Sequence, residues 1–289
     1  MLSINQSFVT YILGTRFGYR GKNLESELHF RGIKFLNIWG FDYRSTSTDV
    51  IKRRVLVKES RHLIGRNLSL GEICCALGHQ EIYKKFLATS EPWALVLEDD
   101  ARLMTDFNPN EIINQIKIDD SAIIQLYGIE LVLNQQRIRS DVLIKEVSEV
   151  SADIALLRII PELTHAYFIN RSAAQHLVNA CANGIHSTAD WPILGLRNIK
   201  FYSTLKSIFQ TTDAGSIIEA GRDDLSGNTE RPDGSFWKIM KSLLFINSIK
   251  GRTYGLSFFA QQSYNFKQFL PFLFRRYRCV RPYRYLRKD

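Results

Sequence analysis

The chain is poor in proline and cysteine and has no long apolar run, and each shortage excludes something. Seven prolines in 289 residues, with no low-complexity tract, argue against long disorder before the extreme end. The four cysteines, Cys74, Cys75, Cys181 and Cys279, match neither zinc-ligand spacing nor a dense disulfide framework. Reduced thiols of a cytosolic protein are the expectation. No stretch of eighteen apolar residues occurs, so no ordinary transmembrane helix is expected. The first twenty residues lack both a basic region and a long apolar core, and do not read as a secretory signal. No internal repeat is visible.

Charge is also scarce where it would matter for nucleic acid. The chain carries a net +9. From Lys250 to Asp289 there are ten Lys or Arg and one acid, so this tail accounts for all of the excess. The preceding residues balance to zero. An enzyme of nucleic acid more often keeps its positive charge around the catalytic cleft, so no nucleic-acid partner is expected.

What is present is a pattern of strands and helices. Residues 8–13 read as a strand ending at Gly14, residues 23–31 as a helix and residues 33–39 as a second strand. That order opens an α/β domain with a parallel sheet. Ser69-Leu70-Gly71-Glu72 is a capping box starting a helix that ends near residues 90–92. The continuous apolar run at 93–97 reads as a strand buried on both faces. Further strands are expected at 122–127 and 166–169, and helices at 109–116, 172–181 and 191–198. Residues 221–234 read as a loop or linker.

The apolar strand stops at three consecutive carboxylates, Glu98, Asp99 and Asp100. Ligands of open α/β sheets collect at the carboxyl ends of strands. Three adjacent acids repel one another unless a cation or ordered donors compensate. A hard divalent ion, Mg²⁺ or Mn²⁺, fits such oxygen ligands and would also hold a diphosphate. Solvation of a strand-to-loop junction is the plainer explanation, and nucleases and phosphatases use similar clusters.

The run Gly71-Glu72-Ile73-Cys74-Cys75-Ala76-Leu77-Gly78-His79, followed by Trp93-Ala94-Leu95-Val96-Leu97-Glu98-Asp99-Asp100, strongly resembles glycosyltransferase family 25, the lipooligosaccharide biosynthesis glycosyltransferases. The family typically shows Gly-Glu-(Ile/Val)-Gly-Cys-x-x-Ser-His before a strand ending in Glu-Asp-Asp. This chain has Cys74 in place of the Gly and Gly78 in place of the Ser, which removes a hydroxyl near the donor site that the family implies. Weaker likenesses are Arg16 and Arg20 after the first strand, Ala166-Tyr167-Phe168-Ile169 with Ala173-Ala174, Asp190-Trp191, and Gln210 with Ser216-Ile217. The resemblance covers roughly residues 8–220.

The resemblance implies a GT-A-type, Rossmann-like α/β domain (1–220) with a mixed, mainly parallel sheet. Outside the resemblance, residues 221–235 read as a loop or linker and residues 236–289 as a helical, basic C-terminal appendage. The resemblance also implies an inverting hexosyltransferase that moves galactose from UDP-galactose to a glycolipid or lipid-linked oligosaccharide, with Mn²⁺ or Mg²⁺. Asp99 and Asp100 are the implied metal ligands. Arg16, Arg20, Glu72, His79, Glu98 and Asp99 are the implied donor-binding residues. Asp190 is the implied general base, beside an aromatic that would stack on a sugar face; it is equally a helix N-cap. Glu72 has a local explanation in its capping box, and Arg16 and Arg20 need none as surface residues. His79, like His165, His176 and His186, can equally be structural.

The tail, Gly255 to Asp289, combines six phenylalanines between Phe258 and Phe274 with six arginines between Arg275 and Arg287. Such a segment suits an interfacial anchor on anionic lipid, placing the enzyme at the inner face of the cytoplasmic membrane. The competing readings are a metal-dependent phosphohydrolase or nuclease, and a non-catalytic relative docked by its tail.

Overall fold

The computed structural model describes residues 7–64, 67–116, 120–128, 144–146, 154–157, 161, 163–189, 191–196 and 199–211. Asp190, Ser216, Ile217, the linker and the basic tail all lie outside the described residues. No helix among the described residues is long and apolar enough to cross a membrane.

Alternation along the first strand builds two layers at once. β1 (Phe8–Gly14) sends Phe8 and Ile12 to one face and Tyr11 and Leu13 to the other. β3 (Trp93–Glu98) does the same, with Trp93, Leu95 and Leu97 opposite Ala94 and Val96. Both faces are therefore covered, as the apolar run at 93–97 requires. Leu24 and Leu28 of α1 (Lys22–Phe30) and Ile112 and Ile113 of α5 (Pro109–Ile113) pack on one side. On the other side lie Ile82, Tyr83 and Phe86 of α4 (Leu70–Leu87) and Ala173, Ala174 and Leu177 of α6 (Arg171–Ala180).

The sheet has eight strands in the order β2-β1-β3-β8-β5-β9-β7-β6. The remaining members are β2 (Leu36–Trp39), β5 (Ala122–Gln125), β6 (Ile144–Glu146), β7 (Ile154–Leu157), β8 (Ala166–Asn170) and β9 (Lys200–Thr204). It is mixed, as expected, but "mainly parallel" needs correction. Only β1–β2, β1–β3 and β5–β9 pair in parallel, and the other four pairings are antiparallel. The reason is that β8 and β7 run against the others, and each sits between two neighbours. A separate antiparallel pair joins β4 (Ala101–Leu103) to β10 (Phe209–Thr211), which carries Gln210. Two short helices, α2 (Thr48–Lys52) and α3 (Val57–Ile64), precede α4.

The start of α4 is fixed by its sequence. The Ser69 hydroxyl accepts from the Glu72 amide at 3.2 Å, and the Glu72 carboxylate accepts from the Ser69 amide at 2.8 Å. Its far end is closed from another element: Arg171 donates to the carbonyls of Leu87 at 2.8 Å and Thr89 at 2.7 Å. A cation at a helix C-terminus also complements the macrodipole.

The helix expected at 191–198 reduces to one 3-10 turn, Ile193–Gly195. Trp191 adopts φ 153, outside the helical region, because its indole is held elsewhere. It packs edge-on to Tyr167 and Phe201, with centroids 5.1 and 5.3 Å away, and donates to the Pro161 carbonyl at 2.8 Å.

Two stability predictions arise here. Gly128 has φ +79, and an added Cβ would fall 2.6 Å from the Ser207 amide nitrogen. Gly128→Ala combines a left-handed backbone with a backbone clash, so chemical denaturation should show a loss of about 1–3 kcal/mol. His186 is fully buried, and burial lowers its pKa below the usual 6.5, only partly opposed by the Gly184 backbone and the Glu59 charge. Its neutral form contributes stability that is fully present above pH 6.5 and lost as pH falls toward the lowered value. Thermal melts should decline with acidification by up to about 1.4 kcal/mol per pH unit from this group, a slope that His186→Gln should reduce.

Candidate active site

The carboxyl ends of β1, β2 and β3 point the same way and open into one cleft with the first turns of α4. Leu13 and Gly14 end β1 and Thr15 follows it, Gly40 to Tyr43 follow β2, and Glu98 ends β3 with Asp99 and Asp100 after it; Gly71, Cys74 and Cys75 of α4 complete the wall. A helix N-terminus beside a strand-end crevice favours anionic ligands. Gly14 is required there: a Cβ would sit 2.8 Å from the Tyr19 ring and 3.0 Å from Asp99 Oδ2.

Arg20 reaches into the cleft after β1 and bridges two of the acids. Its Nη2 lies 2.9 Å from Asp99 Oδ1 and 3.3 Å from Asp100 Oδ2, and its backbone amide donates to Asp99 Oδ2 at 3.3 Å. Burial disfavours the guanidinium charge, but the Asp99 hydrogen bond and the surrounding carboxylates raise its pKa above the ordinary value. Asp100 is less well served. Burial and the charge of Glu98 push its carboxyl up to about 6 despite Arg20. Among the described residues, its buried Oδ1 has no hydrogen-bond partner. One arginine against three acids leaves room for further positive charge.

Glu98 turns away from this pair toward α4 and β8. Its Oε1 accepts from Thr164 Oγ1 at 2.7 Å and lies 3.3 Å from His79 Nε2. Burial opposes its charge, but the His79 contact, the Thr164 hydrogen bond and His165 together hold its pKa below the usual value. His79 is 1% exposed; its Nδ1 meets Tyr167 Oη at 2.8 Å, and Tyr167 Oη meets Tyr83 Oη at 2.8 Å. A polar chain therefore runs from the cleft into the core.

The structure brings Arg20, Glu98, Asp99 and Asp100 together and sets His79 directly behind Glu98. Arg16 is exposed and does not line the cleft. Glu72 is buried in its capping box and does not line it either. Gly78 faces Leu13, where a Cβ would come within 2.7 Å of Cδ1. Trp191, expected to stack on a sugar, is 3% exposed and is instead a core residue. His165 is also buried, its ring 4.9 Å from Tyr127. Sequence reasoning missed Thr164, Tyr167 and Cys75 as neighbours of the acids. Cys75 carried a legible sign, lying four residues before His79 on the same helix.

The profile of Glycosyltransferase family 25 (LPS biosynthesis protein) matches residues 17–191. That span includes the capping box, His79 and all three acids. A solved structure, described as a glycosyltransferase involved in the glycosylation of the major capsid of PBCV-1, is similar at 15% identity with a TM-score of 0.27. The match covers 60% of this chain and 66% of that one. No curated protein matches the chain. With more than half of its length matched, and the acids of the matched span gathered at the cleft, the chain belongs to glycosyltransferase family 25, the LPS biosynthesis proteins.

Proposed function

We propose that this glycosyltransferase moves a hexose from a nucleotide-diphosphate donor, with UDP-galactose the donor that the family resemblance implies, onto a lipooligosaccharide or surface-polysaccharide acceptor with inversion. The observation that carries the reading is Arg20 bridging Asp99 and Asp100 at the ends of parallel strands, with Asp100 Oδ1 left unpartnered. A buried carboxylate oxygen without a donor fits a cation ligand. Asp99 and Asp100 would hold Mn²⁺ or Mg²⁺, which supplies neutralisation of the departing diphosphate when bound.

Arg20 contributes a fixed guanidinium at the same wall, suited to phosphate oxygens. The first turns of α4 add the positive end of a helix dipole. Glu98, tethered by Thr164 and His79, is oriented to accept from a donor hydroxyl. Asp190 is proposed as the general base from its family position. The basic, aromatic tail is proposed to hold the enzyme on the anionic inner face of the cytoplasmic membrane, where a lipid-linked acceptor lies. Failure of the full-length protein to bind anionic liposomes at low salt would remove that part of the proposal.

The test is a UDP-release assay with Mn²⁺ across UDP-galactose, UDP-glucose and their N-acetyl forms, with lipid-linked acceptor supplied. Metal-dependent turnover of UDP-galactose is expected. Turnover of another donor would replace the sugar but keep the reaction. Phosphate release without an acceptor would favour a phosphohydrolase, and no turnover at all would favour a non-catalytic relative.

A further inference from the structure

Behind the acidic pair stands a second group of different chemistry. Cys75 and His79 are four residues apart on α4, so their side chains share one face of the helix. Glu98 arrives from the end of β3 to meet them. One ligand atom from each of the three lies within 4.8 Å of the other two. We propose that Cys75, His79 and Glu98 form a binding site for a thiophilic divalent cation of the zinc class, separate from the all-oxygen pair Asp99 and Asp100.

The donor set selects the ion. A thiolate, an imidazole and a carboxylate are borderline-soft ligands that suit zinc, whereas magnesium and manganese favour oxygen alone. The charges also close, since a thiolate, a carboxylate and a neutral imidazole balance a divalent ion. Cys75 yields its thiol proton to solvent as the sulfur–metal bond forms. Zinc sites open to a further ligand have three protein ligands and one free position. Cys75 and Glu98 both line the cleft, so the free position faces it.

The surroundings orient the ligands. His79 Nδ1 meets Tyr167 Oη at 2.8 Å, and its Nε2 faces Glu98 Oε1, 3.3 Å away. In the metal-free chain a proton shared between this nitrogen and the carboxylate links the two, and a divalent cation would take its place. Thr164 fixes the carboxylate from the other side. Such outer hydrogen bonds set the tautomer and angle of metal-bound histidines. Bond lengths of about 2.0–2.3 Å require tetrahedral ligand atoms about 3.3–3.6 Å apart, so the group closes onto an ion with side-chain shifts of about 1 Å.

The test uses metal-free, full-length protein titrated with Co²⁺ as a spectroscopic stand-in, and then with Zn²⁺ in competition. A near-ultraviolet sulfur-to-cobalt charge-transfer band with tetrahedral visible bands is expected, and Zn²⁺ should displace both. Cys75→Ser should abolish the charge-transfer band and weaken Zn²⁺ binding by more than the roughly 10–100-fold effect of an outer-shell change. Tyr167→Phe should weaken it about ten-fold. Cys74→Ser and Asp100→Asn should keep the band. Melting curves check that each variant folds, and Cys75→Ala serves if the serine variant does not. No thiolate band in the wild type, a band that survives both Cys75 substitutions, or one that is lost in Asp100→Asn would overturn the assignment. None of these readouts depends on sugar transfer, so the site stands or falls apart from the proposed donor.

Discussion

Asp100→Asn is expected to cut metal-dependent donor turnover by about a hundred-fold or more, the scale on which a single transition-state charge contact acts, while thermal stability holds or rises. The two effects have one origin. Among the described residues Asp100 keeps a buried oxygen without a partner, and its carboxyl is pushed up to about 6 by burial and by Glu98. The fold would be relieved by a neutral amide, whereas the proposed metal would be held by the charge. Assays of turnover and melting temperature on the same preparation check both halves. A variant with full activity would remove Asp100 from the site, and a large fall in melting temperature would make it a structural residue.

His79→Ala should have the largest effect on stability, about 3–5 kcal/mol, because it empties the space of a fully buried ring and leaves Tyr167 and Glu98 each short of a partner. Glu98 would lose the contact that offsets its burial, and Tyr167 would lose the ring nitrogen it meets at 2.8 Å. If that is the cause, adding Glu98→Gln to His79→Ala should recover part of the loss. Urea denaturation of the two single variants and the double variant gives the coupling directly. Strictly additive losses would mean that the imidazole acts by packing alone.

The parts of the fold legible in the sequence were those with local signals. The run at 93–97, apolar throughout, announced a strand covered on both sides, and Ser69 with Glu72 marked the first turn of α4. The beginning and end of β1 followed from its apolar residues and Gly14. The helices α2 and α3 were not foreseen; α2 has only five residues and buries Ile51 alone, too few to establish a period. β7 and β9 gained their places by pairing with each other and with β6 and β5, which neither sequence shows alone. The helix expected after Trp191 failed because burial of the indole overrode the start signal of Pro192.

The site divides in the same way. The three acids were visible because they end a buried strand. Their different fates were not, since these depend on partners from distant elements. Arg20 joins Asp99 from 79 residues away, Thr164 joins Glu98 from 66, and Tyr167 meets His79 from 88. Adjacent carboxylates that look equivalent are thereby separated into one bridged by arginine, one partly orphaned and one bonded into the core.

The central position of β3 has a further consequence for the order in which the molecule forms. Phe8 pairs with Trp93 and Trp93 with Asn170, so β1 waits on the ribosome for a strand synthesised much later, and β3 waits for β8 in turn. Contacts of such sequence separation close slowly because loop entropy is lost before any contact energy returns. The half-built sheet therefore has an unpaired edge during synthesis, open to chaperones or to another nascent chain. The acids at the end of β3 reach their final geometry only when β8 has docked.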